Sequence, residues 1–122
     1  MKYDQFLKSV EERAGIDRDE ADRTVVTVVQ LLSERLAGGE PKDLLSQLPR
    51  ELKERITPIP EAIPMSAEQF VERVADELDI SEDEARDRVS AVLQTLDEAV
   101  TPGEFEDVLS QLDREYADLI AR

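Results

Sequence analysis

Cysteine, histidine and tryptophan are absent from this 122-residue chain, and each absence removes a class of chemistry. Without cysteine there is no disulfide framework, no thiolate nucleophile and no thiolate metal ligand, a composition that fits a reducing compartment. Without histidine there is no imidazole base, no histidine-bound zinc and no Ser-His-Asp triad. Aromatic residues make up only 4% of the chain. The expected core is therefore aliphatic and lacks the ring anchors that line many small-molecule pockets. Long apolar runs are missing too. Nothing approaches the roughly 18 residues that suggest a membrane span, and no apolar signal segment follows the opening Met1-Lys2-Tyr3-Asp4. A cytoplasmic protein is the resulting expectation. The only adjacent glycines, Gly38-Gly39, lead into Glu40 and not into the Lys-Ser/Thr start of a phosphate-binding loop.

Charge of one sign dominates. Fifteen Lys and Arg face 30 Asp and Glu, for a net of -15. Phosphate contacts need clustered cations, so the balance opposes nucleic-acid binding and docking on anionic membranes. A protein partner, or self-association, is the kind of contact left. Arginine outnumbers lysine 11 to 4, which with the acidic excess points to halophilic adaptation, where bulk salt screens self-repulsion. The charge is unevenly divided: residues 1–58 carry a net of -2 and residues 59–122 a net of -13, and all four lysines (Lys2, Lys8, Lys42, Lys53) lie in the first part.

The strongest signal is internal. Residues 39–51 return 64 positions later as residues 103–115 with nine of 13 identical, and 22 of 55 positions match when 4–58 is laid on 68–122 without a gap. This reads as a tandem duplication of a roughly four-helix unit: repeat 1 over 1–58, a proline-rich linker over 59–65 and repeat 2 over 66–122. The expected fold is all-α, one pseudo-two-fold bundle around a shared core, since two units are too few for a solenoid.

Periodicity places the helices. Phe6, Leu7, Val10 and Ala14 share one face of a helix over 2–14 that Gly15 ends. Asp17 and Glu20 suggest a capping box opening a second helix through Val25, Val28, Val29, Leu32 and Leu36; its valine run is β-branched, but the spacing is helical. A short third helix follows Pro41, and Pro49 opens a fourth over 50–56. Pro58, Pro60 and Pro64 make an extended linker whose Ile59, Ile63 and Met65 should lie against the body. In the second part Ser66 with Gln69 and Ser81 with Glu84 suggest two more capping boxes, and Asp113 replaces Pro49 as a cap. Thr101-Pro102-Gly103-Glu104 has the pattern of a type II turn, which assigns the positive φ to Gly103 and, by alignment, to Gly39.

Few residues offer chemistry. Asp79-Ile80-Ser81-Glu82-Asp83-Glu84 lacks the glycine and terminal glutamate of a calcium loop. No catalytic residue, metal ligand or cofactor is assigned. The candidate set is the group of polar identities shared by the two parts: Glu40, Asp43, Ser46, Gln47 and Arg50 with Glu104, Asp107, Ser110, Gln111 and Arg114. Three roles are open: a scaffold of hydrogen bonds around the helix turns, a contact between repeats or subunits, and a ligand site.

The segment Leu32-Ser33-Glu34-Arg35-Leu36-Ala37-Gly38-Gly39-Glu40, continuing to Asp43-Leu44 and Gln47-Leu48-Pro49, resembles the domain of unknown function 2267 family of short prokaryotic proteins. So does its echo, Leu93 to Val100 with Gly103-Glu104 and Leu109-Ser110-Gln111-Leu112. The likeness extends to Phe6, Ala14-Gly15-Ile16, Glu20-Ala21 and Phe70-Val71-Glu72-Arg73-Val74. It implies an all-helical, internally duplicated protein and carries no activity with it. The expected function is a non-enzymatic interaction or regulatory module, linked to stress by analogy alone. The alternative is a small-ligand-binding protein or a carboxylate-based enzyme with its site between the repeats.

Overall fold

The computed structural model describes residues 1–121. Eight helices follow one another, and there is no strand among the described residues: α1 (Tyr3–Ala14), α2 (Arg18–Arg35), α3 (Glu40–Ser46), α4 (Arg50–Lys53), α5 (Ala67–Leu78), α6 (Glu82–Ala99), α7 (Pro102–Ser110) and α8 (Arg114–Ile120).

Each long helix follows from its apolar spacing. Phe6, Leu7 and Val10 of α1 are buried, and Gly15 closes the helix in the left-handed conformation at φ 66°. Its N–H bonds the Glu11 carbonyl at 2.8 Å, and no Cβ opposes that φ. In α2 the burial reaches Ala21, Val25, Val28, Val29, Leu31 and Leu32. That face is wide because α2 packs against α1, α5 and α6, which is why the β-branched run settles as a helix. α5 and α6 begin and end 64 positions after α1 and α2.

α6 is the centre of the packing, touching α1, α2, α5, α7 and α8. One aliphatic core runs through all of these helices, with Phe6 and Phe70 fully enclosed. Arg88 of α6 pairs with Glu20 of α2 at 2.7 Å and donates to the hydroxyl of Thr24, 64 positions before it, at 3.1 Å. α3 and α7 pack on each other and create the region described below.

Several local expectations are corrected. Thr101-Pro102-Gly103-Glu104 is not a type II turn. Pro102 and Gly103 lie in the first turn of α7, and the Thr101 hydroxyl caps it by accepting from Glu104 N–H at 3.2 Å. A proline in the first turn has no N–H to orphan, so helix wins over turn. The positive φ lies at Gly38 (64°), not at Gly39 or Gly103. α4 stops at Lys53, short of Ile56. Ser66 and Gln69 make a complete capping box. Asp17 and Ser81 accept from the N–H of Glu20 and Glu84, but both glutamates reach to Arg88 instead of back to the cap. Asp113 makes no side-chain cap and faces Arg35 at 3.7 Å.

The proline-rich segment is pinned down. Gln30 holds Thr57 from both ends of its amide, donating to the carbonyl at 2.9 Å and accepting from the N–H at 2.8 Å. Ile63 N–H donates to the Glu34 carbonyl at 2.8 Å. Met65 is buried and Ile59 half-buried, but Ile63 is exposed, contrary to expectation. No helix among the described residues is long and apolar enough to cross a membrane.

Candidate functional site

The polar set divides sharply once α3 and α7 meet. Glu40 opens α3 and Glu104 lies in the first turn of α7. Both are buried, at 8% and 7% exposure. A carboxylate oxygen from each, with one from Asp43, lies within 4.8 Å of the other two. Oε1 of Glu40 and Oε2 of Glu104 are enclosed and have no hydrogen-bond partner among the described residues. Two ionised carboxylates have no donor between them, so only a proton or a cation can reconcile them at this separation. The Glu40 carboxyl is accordingly pushed up to about 8, by loss of hydration first, then by the Glu104 carboxyl beside it, then by Asp107 and Asp43. Asp43 and Asp107 are exposed and open the pair to solvent.

Gln47 and Gln111 form a reciprocal clasp beside the pair. Gln47 accepts from Thr101 N–H at 2.8 Å. Gln111 accepts from Ala37 N–H at 2.7 Å and donates back to the Ala37 carbonyl at 3.3 Å. Each glutamine thus satisfies the loop ahead of the opposite short helix. Scaffold and contact between halves, separate alternatives in the sequence, are one interaction here. Replacing both glutamines by alanine is expected to lower stability by about 1–2 kcal/mol in total, because the freed N–H groups are exposed and water replaces the lost acceptors. Urea unfolding reads this as a shift in midpoint.

The remaining members stay local. Ser46 and Ser110 bond back to the carbonyls of Asp43 and Asp107 at 2.6 and 2.7 Å. Arg50 pairs with Glu54 at 2.7 Å on the surface, and Arg114 is exposed. No ion pair joins either arginine to the carboxylate cluster among the described residues.

The opposite side of α3 carries a feature the sequence did not reveal. Pro41, Lys42 and Leu45 line an open groove of about 550 Å³ with Lys53, Ile56 and Ile59. Apolar atoms form its floor, and two of the chain's four lysines stand on it. The clustering of lysine in residues 1–58 was legible; the groove needed the chain after α4 to fold back against α3.

A family model described as "Uncharacterized conserved protein (DUF2267)" matches residues 3–119. Comparison with curated proteins gives no match.

Proposed function

Since the chain belongs to the DUF2267 family, whose description offers no activity to carry over, we propose from the residues themselves that it is a non-enzymatic interaction module that docks an acidic, aliphatic segment of a partner protein. The observation that carries this reading is the α3 groove. Its apolar floor is flanked by Lys42 and Lys53 on a chain of net charge -15. Two cations on such a surface are a local inversion of sign, and complementary charge steers and orients a partner. An aliphatic side chain on the segment would cover Leu45, Ile56 and Ile59, and carboxylates beside it would meet the lysines.

A labelled acidic peptide with two leucines four positions apart, titrated against the full chain in chelator, tests the reading by fluorescence anisotropy. The double variant Lys42→Glu, Lys53→Glu is expected to weaken binding at least about tenfold, equivalent to roughly 1.4 kcal/mol, and salt should weaken the wild-type complex. Equal binding by wild type and variant overturns the reading. So does sedimentation showing that a second copy of the chain occupies the groove.

A further inference from the structure

We propose that Glu40, Glu104 and Asp43 form a binding site for one hard divalent cation between α3 and α7, with Asp107 as an outer carboxylate. The inference stands apart from the docking groove, which uses the other side of α3.

Three observations converge on it. The first is spacing. Oxygens bound to one ion at about 2.0–2.6 Å lie roughly 3–5 Å from one another, and the three carboxylate oxygens here lie within 4.8 Å. The second is the state of the buried atoms. Glu40 Oε1 and Glu104 Oε2 are enclosed without a partner, on residues more than nine-tenths buried that point into the shared space. A buried, unsatisfied carboxylate oxygen is costly, and a cation supplies the missing partner to both at once. The third is how the pair is held. Gln47 and Gln111 fix the two loops that precede α3 and α7, so the glutamates are kept together by groups that are not themselves acidic. A cluster that existed only through surface crowding would simply splay apart.

The ligand chemistry narrows the ion. All donors are carboxylate oxygens, and the chain has no histidine or cysteine. Such a set suits calcium or magnesium rather than a softer metal. Exposed Asp43 and Asp107 give the ion a route in and leave room for water in the remaining coordination positions.

The test uses the full chain, stripped with chelator and titrated calorimetrically with calcium chloride and with magnesium chloride. Titrations are repeated in roughly 1 M KCl, where the Debye length shrinks to about 3 Å and the diffuse counterion atmosphere is screened. The expected result is one cation per chain, retained in high KCl. Glu40→Gln and Glu104→Gln should each weaken it at least about tenfold, the scale seen when a metal site loses a supporting group. The control pair Glu82→Gln, Asp83→Asn, at the end of α6 remote from α7, should leave it unchanged. Circular dichroism checks that the variants fold. Should either glutamine variant fail to fold, exposed Asp43→Asn serves in its place, with loss of manganese immobilisation in its paramagnetic resonance spectrum as the readout. Absence of binding by the wild type, binding that KCl abolishes, or binding indifferent to these substitutions overturns the proposal. The peptide titration is run in chelator, so either result can fail without the other.

Discussion

In chelator, Glu40→Gln is expected to stabilise the protein by about 2 kcal/mol near pH 8 and by almost nothing near pH 4, a difference that grows steadily between those limits. The cause is the proton that the buried pair must hold. The Glu40 carboxyl sits at about 8 in the folded chain against an ordinary 4.5. The folded state therefore binds this proton more tightly than the unfolded state does. The stabilisation is fully present below about 4.5 and is lost as the pH rises through 8. The groups acting on Glu40 are Glu104 and Asp107 from α7 and Asp43 from its own helix. Unscreened, a shift of this size is worth roughly 5 kcal/mol. Exposed Asp43 and Asp107 admit water, which reduces the effect to about 2 kcal/mol. Glutamine keeps the shape of the side chain, carries no charge, and can donate its amide N–H to Glu104, so the variant should show a flatter profile. Urea unfolding at a series of pH values measures both curves. A stability difference independent of pH would mean that repulsion within the pair is not its source. With saturating calcium the gap should narrow, because the wild type gains a larger ligand-linked term than the variant.

That pair also marks the limit of what could be read from the chain. Glu40 and Glu104 are legible in sequence as acids at helix starts, where the dipole favours them and solvent is the default surrounding. Nothing local says that each buries itself against the other, since the partner is 64 positions away and the contact depends on how α3 crosses α7. The long helices were legible because their burial repeats every three or four residues: Val25, Val28, Val29 and Leu32 predict one face of α2, and that face is buried. Turn geometry was less so. Pro102-Gly103 satisfies a type II turn and a helix start equally well as a string; the Thr101 hydroxyl decides for the helix by capping Glu104 N–H. The glutamines are an intermediate case. Their identity at 47 and 111 pointed to a shared role, and packing alone revealed that each serves the other half's loop. The groove was half legible, as a concentration of lysine without the apolar floor that gives it a use.

Phe70→Ala is expected to cost about 3–5 kcal/mol, the range for removing a fully enclosed phenylalanine, and to cost about 1 kcal/mol more than Phe6→Ala. Both rings are completely buried and sit at positions 64 apart in α1 and α5. The difference lies in what faces them. Phe70 meets Tyr116 edge-on, with ring centroids 5.7 Å apart and planes at 76°, and such a pair adds roughly 0.5–1.5 kcal/mol beyond buried area. The position 64 before Tyr116 holds Leu52, and among the described residues the ring pair is Phe70 with Tyr116. The tyrosine is itself a junction. Its hydroxyl donates to the Met65 carbonyl at 2.7 Å, Arg35 stands 5.8 Å from its ring centre, and Arg35 Nε donates to the same Met65 carbonyl at 3.1 Å. Removing Phe70 therefore loosens the attachment of α8 and of the proline-rich segment to α5, besides leaving a cavity in the core. Urea unfolding of both variants gives the comparison. Alkaline spectrophotometric titration gives a second readout, specific to the surroundings of Tyr116. Burial pushes the Tyr116 hydroxyl up to about 12, with Arg35 opposing; in Phe70→Ala the opened site should let its titration fall back towards the ordinary 10, while Phe6→Ala should leave it in place. Equal costs for the two substitutions, with Tyr116 unmoved in both, would show that the ring pair contributes packing volume and nothing more.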